Sequence, residues 1–343
     1  AGERKNMRVI TWRGGAHFTT DDVPDLVPGP DEVVVQIEAV GVCGTDVHIT
    51  QGLFPADAPQ VLGHEGSGII TQTGPGIDPA RIGQRVVMDT TSHCGVCDNC
   101  RTWSLSRCER LQKSTGFYAE YARLPAQCAH PIPASMSYEV AALTEPASCC
   151  LSGVESLDHV RGATALVVGG GIMGQLTAAL LRRAGAARIL VSEPFANRRD
   201  AARSMGADRL HDPGAGPLAE AVHEATNGRG VDIAVEAVGK PQLVADCVAL
   251  TRPRGQVLMI GVCPQGTPLP IDLYDFHYRE IRLLGAFGRG NVFARTPEVL
   301  MELDVAPVLS EHYALDDVPK AIDATAAGEG VKLFIAPQLS AAS

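Results

Sequence analysis

Two short segments bring together side chains that could do chemistry. One is Gly41-Val-Cys43-Gly-Thr45-Asp46-Val-His48, and the other is Gly63-His64-Glu65. A thiolate, an imidazole and a carboxylate are the donors a borderline-soft divalent ion such as zinc selects. Cys43 and His64 are the expected ligands. Neither lies in a long apolar run, where a buried thiol or a satisfied core imidazole would account for it. A second group is Cys94, Cys97, Cys100 and Cys108, a C-x2-C-x2-C-x7-C run in a stretch, Ser92 to Arg110, with little periodicity. Four thiolates make a closed tetrahedral zinc site, which is structural rather than catalytic. A pair of disulfides or a redox C-x-x-C is the alternative, and no thioredoxin-like βαβ pattern surrounds the run. Glu145, directly before Pro146 in an apolar segment, is a further carboxylate. Buried unpaired it would cost several kcal/mol, so it is either a metal ligand or a helix-end charge facing water.

A third constellation is Gly169-Gly170-Gly171-Ile172-Met173-Gly174. It follows the apolar strand Thr164 to Val168 and opens a helix over Gln175 to Ala184. A second strand, Arg188 to Ser192, ends at Glu193, nineteen residues beyond Gly174. This is G-x-G-x-x-G in the context it requires. One glycine permits the tight turn, one lets backbone approach a pyrophosphate, and one lets helix and strand pack closely. The phosphates meet the positive end of the helix. Glu193 can accept both ribose hydroxyls and would repel a 2′-phosphate, so NAD is favoured over NADP. Arg198 and Arg199 lie near enough to weaken that preference.

These groups need a scaffold. Residues 7 to 90 read as mostly β, with strands at Val33 to Ile37, Gly66 to Thr71 and Arg85 to Met88. The Cys43 segment leaves a strand and enters a short helical turn, while His64 sits in a glycine-flanked loop. Ala119 to Leu124 returns to strand, and Glu139 to Val154 reads as a helix interrupted at Pro146. After Thr164 the pattern alternates. Helices are expected at Arg198 to Met205, Leu218 to Ala225 and Gln242 to Leu250, with strands at Val231 to Glu236, Gln256 to Ile260 and Ile281 to Gly285. This is an α/β parallel sheet, whose ends at Val238–Gly239 and Gly261 belong on the cofactor side. Helices at Thr296 to Leu303 and Val318 to Ala327 follow. A last strand, Lys332 to Ile335, is expected to rejoin the first domain.

The bulk numbers bound the rest. The 343 residues exceed what one core usually holds. A net charge of −10, without a basic block, argues against nucleic acid or an anionic membrane as partner. No apolar run reaches the roughly 20 residues of a membrane span. Ala1 to Asn6 is polar and no signal peptide, with Met7 reading as a natural start, so a cytoplasmic location is expected. Of the remaining cysteines, Cys128, Cys149, Cys150, Cys247 and Cys263 read as small buried hydrophobes.

Taken together and in this order, these segments resemble the zinc-containing medium-chain dehydrogenase/reductase family across essentially the whole chain. Glu145-Pro146 and Gly328-Glu-Gly-Val-Lys332 resemble its polyol (sorbitol) and threonine dehydrogenase branch. The resemblance implies a GroES-like β-rich catalytic domain (1–153 and 291–343, with a zinc lobe at 92–110) and a Rossmann doubly wound domain at 154–290. It implies a homodimer or homotetramer. It also implies that Cys43, His64 and Glu145 hold a catalytic zinc, with Glu65 as alternate ligand or base. Asp46 would orient His64, Thr45 would take the hydroxyl proton, and His48 would pass it outward through the nicotinamide ribose. Gly169, Gly171, Ile172, Met173, Gly174, Glu193, Arg198, Val238 and Gly261 would bind NAD. The implied substrate is a small-molecule alcohol, or its ketone.

Two departures bear on that substrate. Only seven residues separate Cys108 from Gly116, which suggests an open mouth and a bulky substrate. Gly288-Arg289 follows Phe287 where polyol relatives carry an Arg-aromatic pair one step earlier, which puts sorbitol itself in doubt. The expectation is an NAD- and zinc-dependent dehydrogenase acting on a secondary alcohol of a polyol, sugar or aminocyclitol-like (aminoglycoside-type) molecule. An L-threonine or amino-alcohol dehydrogenase is the alternative. A non-catalytic NAD-binding zinc protein, or an epimerase that retains NAD, is the alternative from another class.

Overall fold

The computed structural model describes residues 6–102, 104–114, 116–289 and 291–339. The expected leader, apart from Asn6, and the Gly290 boundary lie outside them. The chain divides into two compact units. The first takes the residues up to Glu145, Phe293–Met301 and the residues from Leu309 onward. The second takes Pro146–Val292 and Glu302–Val308.

The first unit is built on a seven-stranded sheet among the described residues. Its path runs Ala129–Pro131, Arg85–Met88, Glu65–Thr73, Glu32–Gly41, Lys332–Ile335 and Leu309–Tyr313, and Tyr121–Pro125 also pairs with 32–41. The 32–41 strand is central because it is buried on both faces: Val33, Val35, Ile37, Ala39 and Val40 are all fully enclosed. A run so rich in β-branched residues packs well on a pleated surface. The C-terminal strand rejoins this sheet as expected, antiparallel to it, with Phe334 opposite Gly41. On its other side the same strand sets Gly41 opposite Glu65. Register therefore delivers residues from three distant parts of the sequence to one end of the central strand. A smaller sheet, His17–Pro24, Asn6–Gly14 and Gln60–Val61, adds Met7, Val9, Ile10 and Trp12 to the same core.

The second unit is a six-stranded parallel sheet among the described residues. Its order is Arg209–His211, Arg188–Ser192, Thr164–Val168, Val231–Glu236, Thr251–Met259, Arg282–Gly285. In chain order this is 3-2-1-4-5-6, the doubly wound dinucleotide-binding arrangement, with its switch point between 164–168 and 231–236. Every neighbouring pair is parallel. Leu166, Val231, Ala234 and Val257 are fully buried, as expected of strands covered on both faces.

Several expectations are adjusted. The helix expected through Glu139–Val154 is two helices, Tyr138–Ala142 and Thr144–Glu155, and the break falls at Leu143. Pro146 is not the breaker: it lies in the first turn of the second helix, where a missing N–H costs nothing. Cys149 and Cys263 are half-exposed rather than buried, while Cys128, Cys150 and Cys247 are buried. The strand Arg209–His211 and the helix Leu273–Tyr278 were not anticipated. None of the ten cysteines is in a disulfide. Among the described residues no helix is long and apolar enough to cross a membrane.

Candidate active site

Cys43 caps the short helix Gly44–Thr50. Its sulfur accepts the Thr45 N–H at 3.4 Å, and its own N–H donates to Asp46 Oδ2 at 3.2 Å. This reciprocal cap fixes the sulfur at the positive end of the helix. The loop before the 65–73 strand supplies His64, and that strand's first residue is Glu65. Ligand atoms of Cys43, His64 and Glu65 all lie within 4.8 Å of one another. Gly63, at φ +85°, makes the turn, and a Cβ there would come within 2.9 Å of the Tyr118 ring. Glycine is thus required both by conformation and by close approach.

Behind the imidazole lies a buried network that sequence reasoning saw only in part. Asp46 is 1% exposed. One of its oxygens is 3.7 Å from His64 Nδ1 and accepts the Gly63 N–H at 3.3 Å. The other accepts the Tyr118 hydroxyl at 2.8 Å. Burial alone would raise the Asp46 pKa, but His64, Tyr118 and the Cys43 N–H outweigh it and hold the carboxylate below its usual range. His64 is opposed by burial too, yet the charges of Cys43 and Asp46 carry its pKa well above the ordinary imidazole value. Burial and the Asp46 charge push the Tyr118 phenol well above its normal value, so it remains a donor. Tyr118 left no sequence signal beyond an aromatic pair before a strand.

Lys332 is the second residue the sequence did not single out, although a charge opening the apolar run Lys-Leu-Phe-Ile was a visible anomaly. Its side chain is 1% exposed and that of Glu65 is fully buried. The ammonium pairs with Glu65 Oε2 and donates to the Val42 carbonyl at 2.9 Å. Burial opposes its charge, but Glu65, Cys43 and Glu145 offset that and raise its pKa above the usual lysine value. Lys332 pairs with Oε2 alone, and Glu65 Oε1 has no hydrogen-bond partner among the described residues. A buried carboxylate with open lone pairs beside a thiolate and an imidazole fits a divalent cation in both charge and donor type.

Among the other expected residues, Thr45 Oγ1 lies 3.5 Å from Cys43 Sγ. His48 is exposed on the last turn of the same helix. Glu145 is half-buried in the first turn of Thr144–Glu155. It is not one of the three clustered donors, but its charge acts on Lys332.

The four-cysteine lobe is assembled. Cys94, Cys97, Cys100 and Cys108 converge within 4.8 Å. The Cys97–Cys100 and Cys94–Cys100 sulfurs are 3.4 and 4.0 Å apart, bracketing the ~3.8 Å edge of a tetrahedron with 2.3 Å zinc–sulfur bonds. Backbone N–H groups of Val96 and Cys97 bring Cys94 down to about 6. Those of Glu109 and Cys100 lower Cys97, while burial pushes Cys100 up to about 12. Bonds from backbone amides to sulfur are what a metal-bound thiolate needs around it.

In the second unit the glycine run has the roles expected of it. Gly169 has φ +102°, and a Cβ on Gly174 would overlap the Gly169 carbonyl oxygen. Around Gly171, the N-cap of helix Ile172–Arg183, there is open space. Met173 follows in the first turn. Glu193 is 3% exposed, and its oxygens accept the N–H groups of Gly170 at 2.6 Å and Phe195 at 3.0 Å. Arg198 lies over the Phe195 ring, and Arg199 binds the Glu193 and Pro194 carbonyls and Asp212. Val238 is partly exposed, and Gly261 lies just beyond the 251–259 strand. The sequence missed Glu236 here: fully buried, its Oε1 accepts the N–H groups of Val238, Gly239 and Lys240 and fixes that turn.

Comparison with known proteins follows the same division. Residues 29–134 match the alcohol dehydrogenase GroES-like domain, and residues 173–306 match the zinc-binding dehydrogenase family. The chain is 32% identical to 2-dehydro-3-deoxy-L-galactonate 5-dehydrogenase of Pseudoalteromonas atlantica, over 92% of this chain and 94% of that protein. It is 30% identical to L-threonine 3-dehydrogenase of Pyrococcus abyssi, over 93% and 94%. Among solved structures it resembles a zinc-binding dehydrogenase of Sinorhizobium meliloti 1021 bound to NADP. That match has a TM-score of 0.92 and 32% identity, covering 97% of this chain and all of the other.

Proposed function

The chain belongs to the zinc-containing medium-chain dehydrogenase family, in the branch of the polyol and threonine dehydrogenases, and on that premise we propose that it oxidises a secondary alcohol of a polyol, sugar or sugar-acid-like molecule with NAD. Membership makes it a zinc-dependent alcohol dehydrogenase that works with a nicotinamide dinucleotide. The observation that carries the proposal is the donor trio Cys43, His64 and Glu65 with the Thr45 hydroxyl 3.5 Å from the Cys43 sulfur. Cys43 and His64 would hold the catalytic ion, with Glu65 and Glu145 as further carboxylates at its edge. Cys94, Cys97, Cys100 and Cys108 would hold the structural one. Bound zinc supplies the Lewis acidity that brings an alcohol's proton within reach of ordinary bases near neutral pH, and the dinucleotide supplies the hydride acceptor.

The chain's own residues do the rest. Thr45 would take the substrate hydroxyl's proton as it hands its own on toward His48, which is exposed on the same helix and would release a proton to water. Asp46 would orient His64, and Tyr118 holds Asp46. The amides around Gly171 receive the pyrophosphate at the helix end. Glu193, just beyond the 188–192 strand, would meet the adenosine ribose, and Arg199 is already committed to Asp212, which favours NAD over NADP. A sugar-acid dehydrogenase and a threonine dehydrogenase among the relatives support a polar, hydroxylated substrate over a simple alkanol. An oligomer is part of the same proposal.

The test is to follow NADH absorbance with NAD and NADP across polyols, sugar acids, amino sugars, amino alcohols and short alkanols, with zinc assayed on the same sample. A preference for hydroxylated acids or polyols with NAD supports the reading. Turnover confined to alkanols, or isomerisation without net NADH, contradicts it.

A further inference from the structure

A lysine with 1% of its side chain exposed, inside an active site, needs a reason. Removing a charge from water costs several kcal/mol unless it is paired. Lys332 reaches the site through strand register: Phe334 lies opposite Gly41, and Val42 N–H bonds to Leu333 O at 2.9 Å, so Lys332 sits beside the Cys43 segment. Gly41 keeps the path clear. A Cβ there would collide with Glu65 Oε2 and lie 2.7 Å from Lys332 Cε. Chain ends and glycine together bring this cation to Glu65. Lys332 takes Oε2, while Glu65 remains within 4.8 Å of the Cys43 and His64 donors. The carboxylate therefore faces one permanent cation, Lys332, and would face a second in any ion that Cys43 and His64 held.

We infer that Lys332 is a positioning residue that competes with the metal for Glu65, keeping that carboxylate a weak, exchangeable ligand and the substrate's coordination position available. This rests on the reading that Cys43 and His64 hold the ion. With Lys332 present, Glu65 shares its charge and is only loosely drawn to the metal. Without Lys332, the buried carboxylate would have the bound metal as its nearest countercharge and would ligate it more firmly.

The test uses full-length zinc-loaded protein: wild type, K332M, E65Q and the K332M/E65Q double variant. Each is challenged with excess chelating dye, and each is loaded with Co2+ for its visible spectrum. C43S supplies the rate for the lobe's zinc alone. If C43S keeps both metals, the underlying reading fails, and that outcome is distinct from failure of this inference. The expected result is that K332M loses its site zinc about tenfold more slowly than wild type, the scale on which partners of metal ligands act. Its cobalt bands should shift, and both effects should vanish in the E65Q background. An equal effect of K332M with and without Glu65 means only charge repulsion on the ion, and overturns the inference. So does no effect at all. If K332M does not fold, E65Q alone decides. A measurable acceleration of zinc loss below about tenfold is expected of a weak ligand, and either no acceleration or one of about tenfold or more overturns the inference.

Discussion

Tyr118→Phe removes one oxygen and little else. The ring is fully buried under Gly63 and its hydroxyl donates at 2.8 Å to Asp46 Oδ2. Phenylalanine fills the same space, so no cavity or clash complicates the comparison. Asp46 keeps the Cys43 and Gly63 amides, at 3.2 and 3.3 Å, both longer than the bond it loses. A hydrogen bond to a charged group contributes about 1.5–3 kcal/mol, and the carboxylate here is out of reach of water to replace it. Trp12, buried in the core of the first unit, gives a fluorescence signal for the unit that holds Asp46. With a urea slope of about 2 kcal/mol/M, the midpoint should fall by roughly 1 M. The looser Asp46 should also let His64 turn, and zinc loss to a chelator should quicken by about 10-fold or more. A midpoint within about 0.2 M of wild type, together with unchanged zinc loss, would refute the view that the phenol positions this carboxylate.

The glycine run offers a contrast between two alanines. G171A enters open space and should fold like wild type, yet bind NADH about tenfold or more weakly, because its methyl stands where phosphate must approach. G174A drives a methyl into the Gly169 carbonyl and should cost about 1–3 kcal/mol of stability in the second unit as well as NADH binding. Equal NADH titrations for G171A and wild type would count against the pyrophosphate assignment. A pH effect follows from Glu139, which pairs with His312 at 3.1 Å. Burial opposes its ionisation, but its own N–H, Ser137 and His312 outweigh that and lower its pKa. Its stabilising contribution is therefore present above the unfolded carboxylate value of about 4.3 and lost as pH falls through the lower folded value. E139Q should flatten the acid limb of the stability profile below about pH 4.5 and leave neutral catalysis unchanged; an acid limb as steep as wild type's would contradict this.

Much of the molecule was legible because its signals are local. Thr164–Val168, Arg188–Ser192 and Val231–Glu236 form as strands with the ends expected of them, since apolar runs bounded by turn residues leave few alternatives. The return of Lys332–Ile335 to the first unit was expected from the sequence, and its pairing with the 32–41 strand bears that out. The break at Leu143 was misassigned to Pro146 because proline's first-turn tolerance depends on where the helix starts, which periodicity does not fix. Metal-ligand candidates were visible as residue types and spacing. Their supports were not. Tyr118, Lys332 and Glu236 matter through contacts across 72, 267 and a few residues respectively, and the longer of these exist only once strand register is set. The Asp46 carboxylate was anticipated by resemblance, but the phenol behind it had no motif to announce it.

The central claim is that an ion gripped by Cys43 and His64, and no other metal in the chain, makes the alcohol reactive. Zinc content and NADH formation measured together on wild type and C43S test it most directly. The account predicts two zinc per chain in wild type and one in C43S, held by the four-cysteine lobe, with NADH formation reduced by at least about a thousandfold, the scale of losing a principal electrostatic contributor to catalysis. A C43S protein that keeps both metals, or that loses one and still turns over at a comparable rate, would contradict it.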